Sequence, residues 1–416
     1  MDYSLTALDS GLRIITQDMP SARSISVGIW VDAGSRDEVG PQHGTSHFLE
    51  HLLFKGSERM SARYISEALD AIGAQHNAFT SKEYTCYWAR IRATDTPLAV
   101  DILAEMIQQP AFRQTEIDSE RHVVLEEINM NEDDPSDVAH EQFVKAMWAG
   151  HPIQPAILGT RDSITSMTRD TIQTYWAERY TPSSVVIAAA GRVDHEDFVA
   201  LVTKHFGSWE GVAPTRTLQT LEVRSAVNVV RRDTEQAHLV LGMPGYVRDD
   251  DRRYAHLVVD HILGGGMSSR LFEEIREQRG LAYAVHSFRM PFVDTGASAI
   301  YVGTTPSQAA EVLKIVRSEL AKLVESGVTA EEMVRAKGHV KGSLALSLED
   351  ATSRMTRLGR SELVGLDHIS VDEVVALVEA VTLDDVLKVA SDVYAGPFVL
   401  GAVGPFDAAS LEEFVG

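Results

Sequence analysis

The apolar residues of this chain change period repeatedly, and those changes mark out strands and helices. In LTALDSGLRIITQ (5–17) they alternate on both sides of an Asp-Ser-Gly turn, which predicts a hairpin. ARYISEALDAIG (62–73) carries them at helical spacing and stops at a glycine. HNAFTSKEYTCYWARI (76–91) is rich in Thr and aromatics and alternates as a strand does. AVDILAEMI (99–107) and SERHVVLEEINM (119–130) read as helices. Interleaved strands and helices with hairpins imply an α+β fold built on largely antiparallel sheet.

The pattern also repeats. HGTSHFLEHLLFKG (43–56) laid over RYAHLVVDHILGGG (253–266) puts Glu50 on Asp260, His51 on His261 and Leu53 on Leu263. Upstream, ISVGIWVDAGS (25–35) answers QAHLVLGMPGY (236–246), so each half reads strand, turn, helix in the same order. The expectation is two similar domains related by internal duplication, 1–212 and 223–416. The polar, turn-rich segment around GVAPTRTLQ joins them as a linker, 213–222.

Composition narrows the class. With 416 residues the chain is long enough for two cores, and 44% hydrophobic with 24% charged residues is ordinary for a globular protein. The longest apolar run, Val185 to Ala190, is far short of the ~20 residues of a membrane span. The first residues lack the basic start and apolar core of a signal peptide, and Asp2 and Asp9 argue against a transit peptide. A single cysteine, Cys86, permits no intrachain disulfide; in its strand it reads as a small buried side chain. The expected location is the cytoplasm, with no membrane partner. A net charge of −22 disfavours nucleic acid, because binding phosphates needs clustered Lys and Arg.

The chemistry concentrates in HGTSHFLEHLLFKG. His47 and His51 lie four apart, on one face of a helix, and can aim at one ion. Zinc takes imidazole nitrogen readily, and a catalytic site needs a third protein ligand and an open position for water. Glu50 can reach that water without competing as a ligand. A zinc-bound water, its pKa lowered towards ~7, could then lose its proton to the carboxylate during attack on an amide carbonyl. His-x-x-Glu-His is the inverted form of the zincin motif. The third ligand is to be found in SERHVVLEEINMNEDD, where Glu120 and Glu127, two turns apart, share a face and Glu126 points away. One of that pair could bind the metal while the other hydrogen-bonds a ligand histidine. His43, His76 and His122 read as surface or supporting residues.

HFLEHLLFKGS, with Glu127 76 residues beyond His51 inside ERHVVLEEI, resembles the pitrilysin family of inverted-motif zinc peptidases. That family includes insulin-degrading enzyme and the mitochondrial processing peptidase. The resemblance covers nearly the whole chain. It implies His47, His51 and Glu127 as ligands of one zinc per chain, Glu50 as general base and Glu120 as the supporting carboxylate. HNAFTSKEYT resembles the family's active-site edge strand, implying Asn77 and Ala78 as backbone partners of a peptide substrate, with Phe54 beside them in the substrate-binding set. LFEEIREQRGLAYAV resembles the segment that carries the family's Arg and Tyr pair, implying Arg276 and Tyr283 as donors to the carbonyl oxygen under attack. The second half departs from the metal motif, with Leu257, Asp260 and His261 at the corresponding positions, and is expected to be metal-free. GGGMSSRLF (264–272) lacks the Gly-Lys-Ser/Thr ending of a phosphate loop and reads as a loop facing substrate.

The resemblance implies a zinc-dependent endopeptidase acting on short or unfolded peptides in an enclosed chamber. It also implies a homodimer, because the chamber takes four such domains and this chain supplies two; a heterodimer with a related subunit is the other arrangement. A presequence-type processing peptidase and a non-catalytic structural relative are the competing functions.

Overall fold

The computed structural model describes residues 3–416, which form two compact units, each with its own sheet. In unit 1 the strands are β1 (Ser4–Ala7), β2 (Arg13–Asp18), β3 (Ser24–Val31), β4 (Gln75–Thr80), β5 (Thr85–Arg92) and β6 (Val185–Gly191). Their order is β1-β2-β6-β3-β5-β4, antiparallel throughout except for β2 with β6. In unit 2 they are β7 (Ala226–Arg231), β8 (Ala237–Pro244), β9 (Ala282–Pro291), β10 (Gly296–Thr304) and β11 (Val399–Gly404), ordered β7-β11-β8-β10-β9. Again one pair, β7 with β11, is parallel. The two sheets thus share one topology, with β1 as an extra edge strand in unit 1. This is the three-dimensional form of the sequence repeat, in an α+β fold of two similar domains.

One difference from the sequence reading comes from turn chemistry. Residues 76–91 form two strands, β4 and β5, joined by Ser81–Tyr84. The Ser81 hydroxyl accepts from the backbone N–H of Glu83 and Tyr84 and donates to the Tyr84 carbonyl, closing a turn at the polar run Thr80 to Glu83 that interrupts the alternation. The hairpin at 5–17 forms β1 and β2, its turn closed by Gly11 at φ +89. The helix expected over 62–73 spans Ala62–Ala71, capped by the Ser61 hydroxyl. Those at 99–107 and 119–130 lie within α-helices Thr96–Gln108 and Gln114–Asp133.

The compact units are discontinuous in sequence. Unit 1 comprises the chain up to Ile128 with Pro155–Arg216 and Ala345–Ser370; unit 2 comprises Asn129–Gln154, Thr217–Leu344 and Val371–Gly416. Each unit therefore contains one helix from the other half of the sequence, and burial explains why. Strand β6 (VVIAAAG) is buried along its whole length. Val185, Ile187 and Ala189 enter the main core of unit 1, while Val186, Ala188 and Ala190 face the opposite way. That second face, with Ile15, Trp30 and Cys86, is covered by Met355, Leu358 and Leu363 of the helix Ala351–Leu363. In unit 2 the helix Pro135–Met147 performs the same task, packing Phe143 on the sheet face made by Val240, Ala299 and Val399. Both contacts are close because glycine stands at the crossing. A Cβ on Gly359 would meet the Trp30 indole at 2.1 Å, and one on Gly242 would meet the Phe143 ring at 2.5 Å.

No described helix is long and apolar enough to cross a membrane. Replacing Gly359 with Ala should destabilise unit 1 by about 1–3 kcal/mol or more, since the buried Trp30 ring has no free space to yield. Chemical denaturation of the variant is the measurement; a midpoint equal to that of the wild type would show that the helix Ala351–Leu363 is not seated through this contact.

Candidate metal centre

The inverted motif lies on a short α-helix, α1 (Thr45–Leu53), which buries Phe48, Leu49, Leu52 and Leu53 in the unit 1 core. This apolar face fixes which way His47, Glu50 and His51 look. The N-cap is Gly44 at φ +93, so it offers no side chain to cap the helix. A distant residue supplies the cap. The buried carboxylate of Glu38 accepts from the backbone N–H of Gly44 and of Ser46, each at 2.7 Å. Burial pushes the Glu38 carboxyl up to about 8, against the pull of those two amides.

Opposite α1 runs the long helix Gln114–Asp133, which brings up the two acids. The Glu127 Oε2 atom lies 3.4 Å from His47 Nε2 and 3.6 Å from His51 Nε2. Three ligand atoms held tetrahedrally at zinc's ~2.0–2.1 Å bond length sit about 3.4 Å apart, so the residues present fit a zinc ion. The Glu127 Oε2 atom is also buried with no hydrogen-bond partner, as an anionic ligand awaiting a cation would be. Among the described residues this is the group of His, Cys, Asp and Glu side chains close enough to hold a metal.

The neighbouring residues divide the remaining tasks. His51 Nδ1 is 3.2 Å from Glu120 Oε2, which leaves its Nε2 aimed at Glu127, and Lys55 fixes the other Glu120 oxygen at 2.8 Å. Burial, and then the neighbouring His51, lower the His47 pKa to about 4, leaving the ring in the neutral form a metal requires. Glu50 turns aside from the three ligand atoms, and its Oε2 accepts a 2.6 Å hydrogen bond from the Thr80 hydroxyl of β4. Burial raises the Glu50 carboxyl above the ordinary carboxylate range, while Thr80 and His51 pull it back. His43, His76 and His122 stay outside the ligand group, and Glu126 is exposed.

The residues expected to meet substrate lie in both units. β4 is the outer strand of its sheet, paired on one side only, with Asn77 exposed and Ala78 buried. Phe54 ends α1, its ring 6.0 Å from that of His76 and 6.3 Å from that of Tyr87. In unit 2, Arg276 donates to the Tyr283 carbonyl at 2.9 Å, and its guanidinium lies over the Tyr283 ring. Tyr283 itself is 79% exposed. Arg276 belongs to a π-helical segment, Phe272–Glu277, a rare geometry often associated with function. The helix of unit 2 that answers α1, Arg253–Gly264, is differently equipped: Asp260 lies 3.6 Å from Arg289, and His261 stacks on His339 at 4.0 Å.

Glu38 and Thr80 were not singled out in the sequence. Thr80 had a readable signal, since it lies two residues from Ala78 and so on the same strand face. Glu38 had only the mixed charges of DAGSRDEVG between a strand and a helix.

The fold and this arrangement define a two-domain protein with an inverted motif whose side chains are grouped closely enough to hold a metal. The profile described as "Insulinase (Peptidase family M16)" matches residues 13–161, and that described as "Peptidase M16 inactive domain" matches 166–339. The chain belongs to peptidase family M16. It is 45% identical to an uncharacterized zinc protease of Streptomyces coelicolor, covering 96% of this chain and 89% of that one. With an uncharacterized zinc protease of Bacillus subtilis it shares 39% identity, over 95% of this chain and 97% of the other. In fold it is similar to the crystal structure of a peptidase M16 inactive domain from Pseudomonas fluorescens, with TM-score 0.92 at 21% identity, covering 98% of this chain and 99% of that one. A protease from Helicobacter pylori gives TM-score 0.89 at 22% identity, over 97% and 99%.

The helix Arg253–Gly264 carries a further consequence for pH. His256 is buried, and burial, then Arg289, lower its pKa from 6.5 to about 3. Below about pH 6.5 the unfolded chain binds a proton there that the folded chain refuses until about pH 3, so this residue removes stability as pH falls through that window. Replacing His256 with Phe should flatten the acid side of a plot of melting temperature against pH. An unchanged slope between about pH 4 and 6 would count against a neutral buried imidazole.

Proposed function

We propose that this chain is a zinc metalloendopeptidase that hydrolyses short or unfolded peptides. The observation that carries the reading is the convergence of His47, His51 and Glu127, at a spacing that fits zinc, beside a fourth residue, Glu50, held off the metal by Thr80. A zinc ion bound there, one per chain, supplies Lewis acidity that polarises a peptide carbonyl and acidifies water. Glu50 takes the proton of the attacking water on its carboxylate and returns it to the departing amine. Its raised pKa suits an acid–base group, which works best near the operating pH. Glu120 holds the His51 ring through Nδ1. The unpaired edge of β4, at Asn77 and Ala78, takes the peptide as an added strand, so that affinity rests on backbone hydrogen bonds and tolerates many sequences. The intact set of ligands and base favours this reading over a non-catalytic relative.

Glu50→Gln should keep zinc and lose about 10²–10⁴ of its turnover, because glutamine matches the shape and cannot accept the proton. Glu127→Gln should instead lose metal. Zinc analysis and a fluorogenic peptide assay on the same preparations separate the two effects. An E50Q protein keeping more than about a tenth of wild-type turnover would remove Glu50 from the role of base.

The proposal extends to assembly. In unit 2, exposed Tyr283 and half-buried Arg276 are paired to each other, ready to donate to a developing oxyanion. In a homodimer with closed two-fold symmetry, unit 2 of one copy completes the chamber over the zinc of the other. Mixing Glu50→Gln with an Arg276→Ala/Tyr283→Phe chain should therefore restore activity that neither has alone. Proven subunit exchange with no recovered activity would sink the shared site.

A further inference from the structure

We propose that Arg216, in the segment that leads out of unit 1, is a positioning residue that clamps together the two loops on which Glu50 depends. The inference deepens the peptidase reading and rests on it for its consequence in catalysis. Arg216 lies in a stretch without regular structure, where its neighbours Thr215 and Thr217 are exposed. Its own side chain is only 14% exposed. Its guanidinium reaches two places at once. On one side lies the loop between β3 and α1: Arg216 Nε and Nη2 fork onto the two Asp37 oxygens at 2.9 and 2.8 Å, and Nη1 meets Asp32 at 2.9 Å. On the other side is the β4–β5 turn, where Nη2 donates to the Glu83 carbonyl at 2.7 Å.

Both loops lead directly to the base. Asp37 precedes Glu38, the carboxylate that caps α1 and so orients Glu50. The turn begins at Ser81, next to Thr80, whose hydroxyl holds the Glu50 carboxylate. The loops also zip to each other, with Ser35 N–H donating to the Ser81 carbonyl, Arg36 N–H to that of Lys82, and Arg36 Nη1 to Glu83 Oε1 at 2.5 Å. Buried ion pairs of this kind are a weak source of stability, because desolvation offsets most of the attraction, while their geometry is demanding. A forked, bidentate guanidinium contact fixes direction as well as distance. Lysine, with one compact charge, cannot span Asp37, Asp32 and the Glu83 carbonyl together.

The test compares Arg216→Lys, Arg216→Gln and the wild type, each loaded with zinc. Zinc content, melting temperature, kcat and KM on a fluorogenic peptide, and amide hydrogen exchange at 44–46 and 82–84 are all measured. Both variants should keep zinc, since its ligands lie on other residues. Both should lose about 10–100-fold in kcat/KM per zinc-loaded molecule, the scale of misplacing a catalytic group by about an ångström. Exchange should rise at both loops together. A folded, zinc-loaded Arg216→Lys protein with wild-type kcat/KM overturns the proposal, as does a loss that merely follows the folded fraction. Exchange rising at one loop alone overturns it as well. If zinc-loaded wild type cleaves no peptide, the peptidase reading fails by itself, and the exchange data alone then judge the clamp.

Discussion

A carboxylate buried against the start of a nine-residue helix is the interaction on which the metal centre depends. Two imidazoles and a carboxylate can keep fixed positions on one short helix only if the helix is held rigid, and isolated helices of that length are not stable in water. Apolar packing of Phe48, Leu49, Leu52 and Leu53 fixes the rotation of α1, but it leaves the first amides of the helix unpaired. With glycine at the N-cap, Glu38 must answer them from outside. The cost is a carboxyl held in a buried place where its charged form is disfavoured. The return is that the positions of His47, Glu50 and His51 become a property of the core.

The same logic governs the second helix of the site. Glu120 and Glu127 lie two turns apart, so one helix brings one carboxylate up to both imidazoles and another to the far side of the His51 ring. Because Glu120 is shared between His51 and Lys55, its position does not depend on the metal. Electrostatics then sorts otherwise similar side chains into separate roles. Glu127 keeps an unpaired oxygen, Glu120 has both oxygens engaged, and Glu50 accepts from a threonine.

Much of this was legible in the sequence because it is periodic. Helical spacing of four and seven placed His47 with His51 and Glu120 with Glu127, and alternation marked the strands and the repeat. The β4–β5 turn escaped because its four polar residues, Thr80 to Glu83, include neither glycine nor proline, and Ser81 closes it with a hydroxyl instead. Glu38, Arg216 and the exchanged helices escaped for a different reason. Each acts on residues far away along the chain, and nothing in local periodicity says that a charge will be buried or which sheet face a helix will cover. The contact of Gly359 with Trp30, 329 positions apart, is of that kind.

That exchange of helices bears on how the protein comes into being. A polypeptide leaves the ribosome from its N-terminus, at ~5–20 residues per second, and domains ordinarily fold as they emerge. Here all six strands of the first sheet are complete once Gly191 has been made, yet the helix that shields Trp30, Val186 and Ala188 spans Ala351–Leu363. For the ~160 residues of synthesis between them, one apolar side of a finished sheet has no cover of its own. The nascent chain thus passes through an interval in which a molecular chaperone, or early docking by another part of the chain, must guard that surface. The half of the chain that carries the inverted motif cannot reach its final packing before the other half has been made.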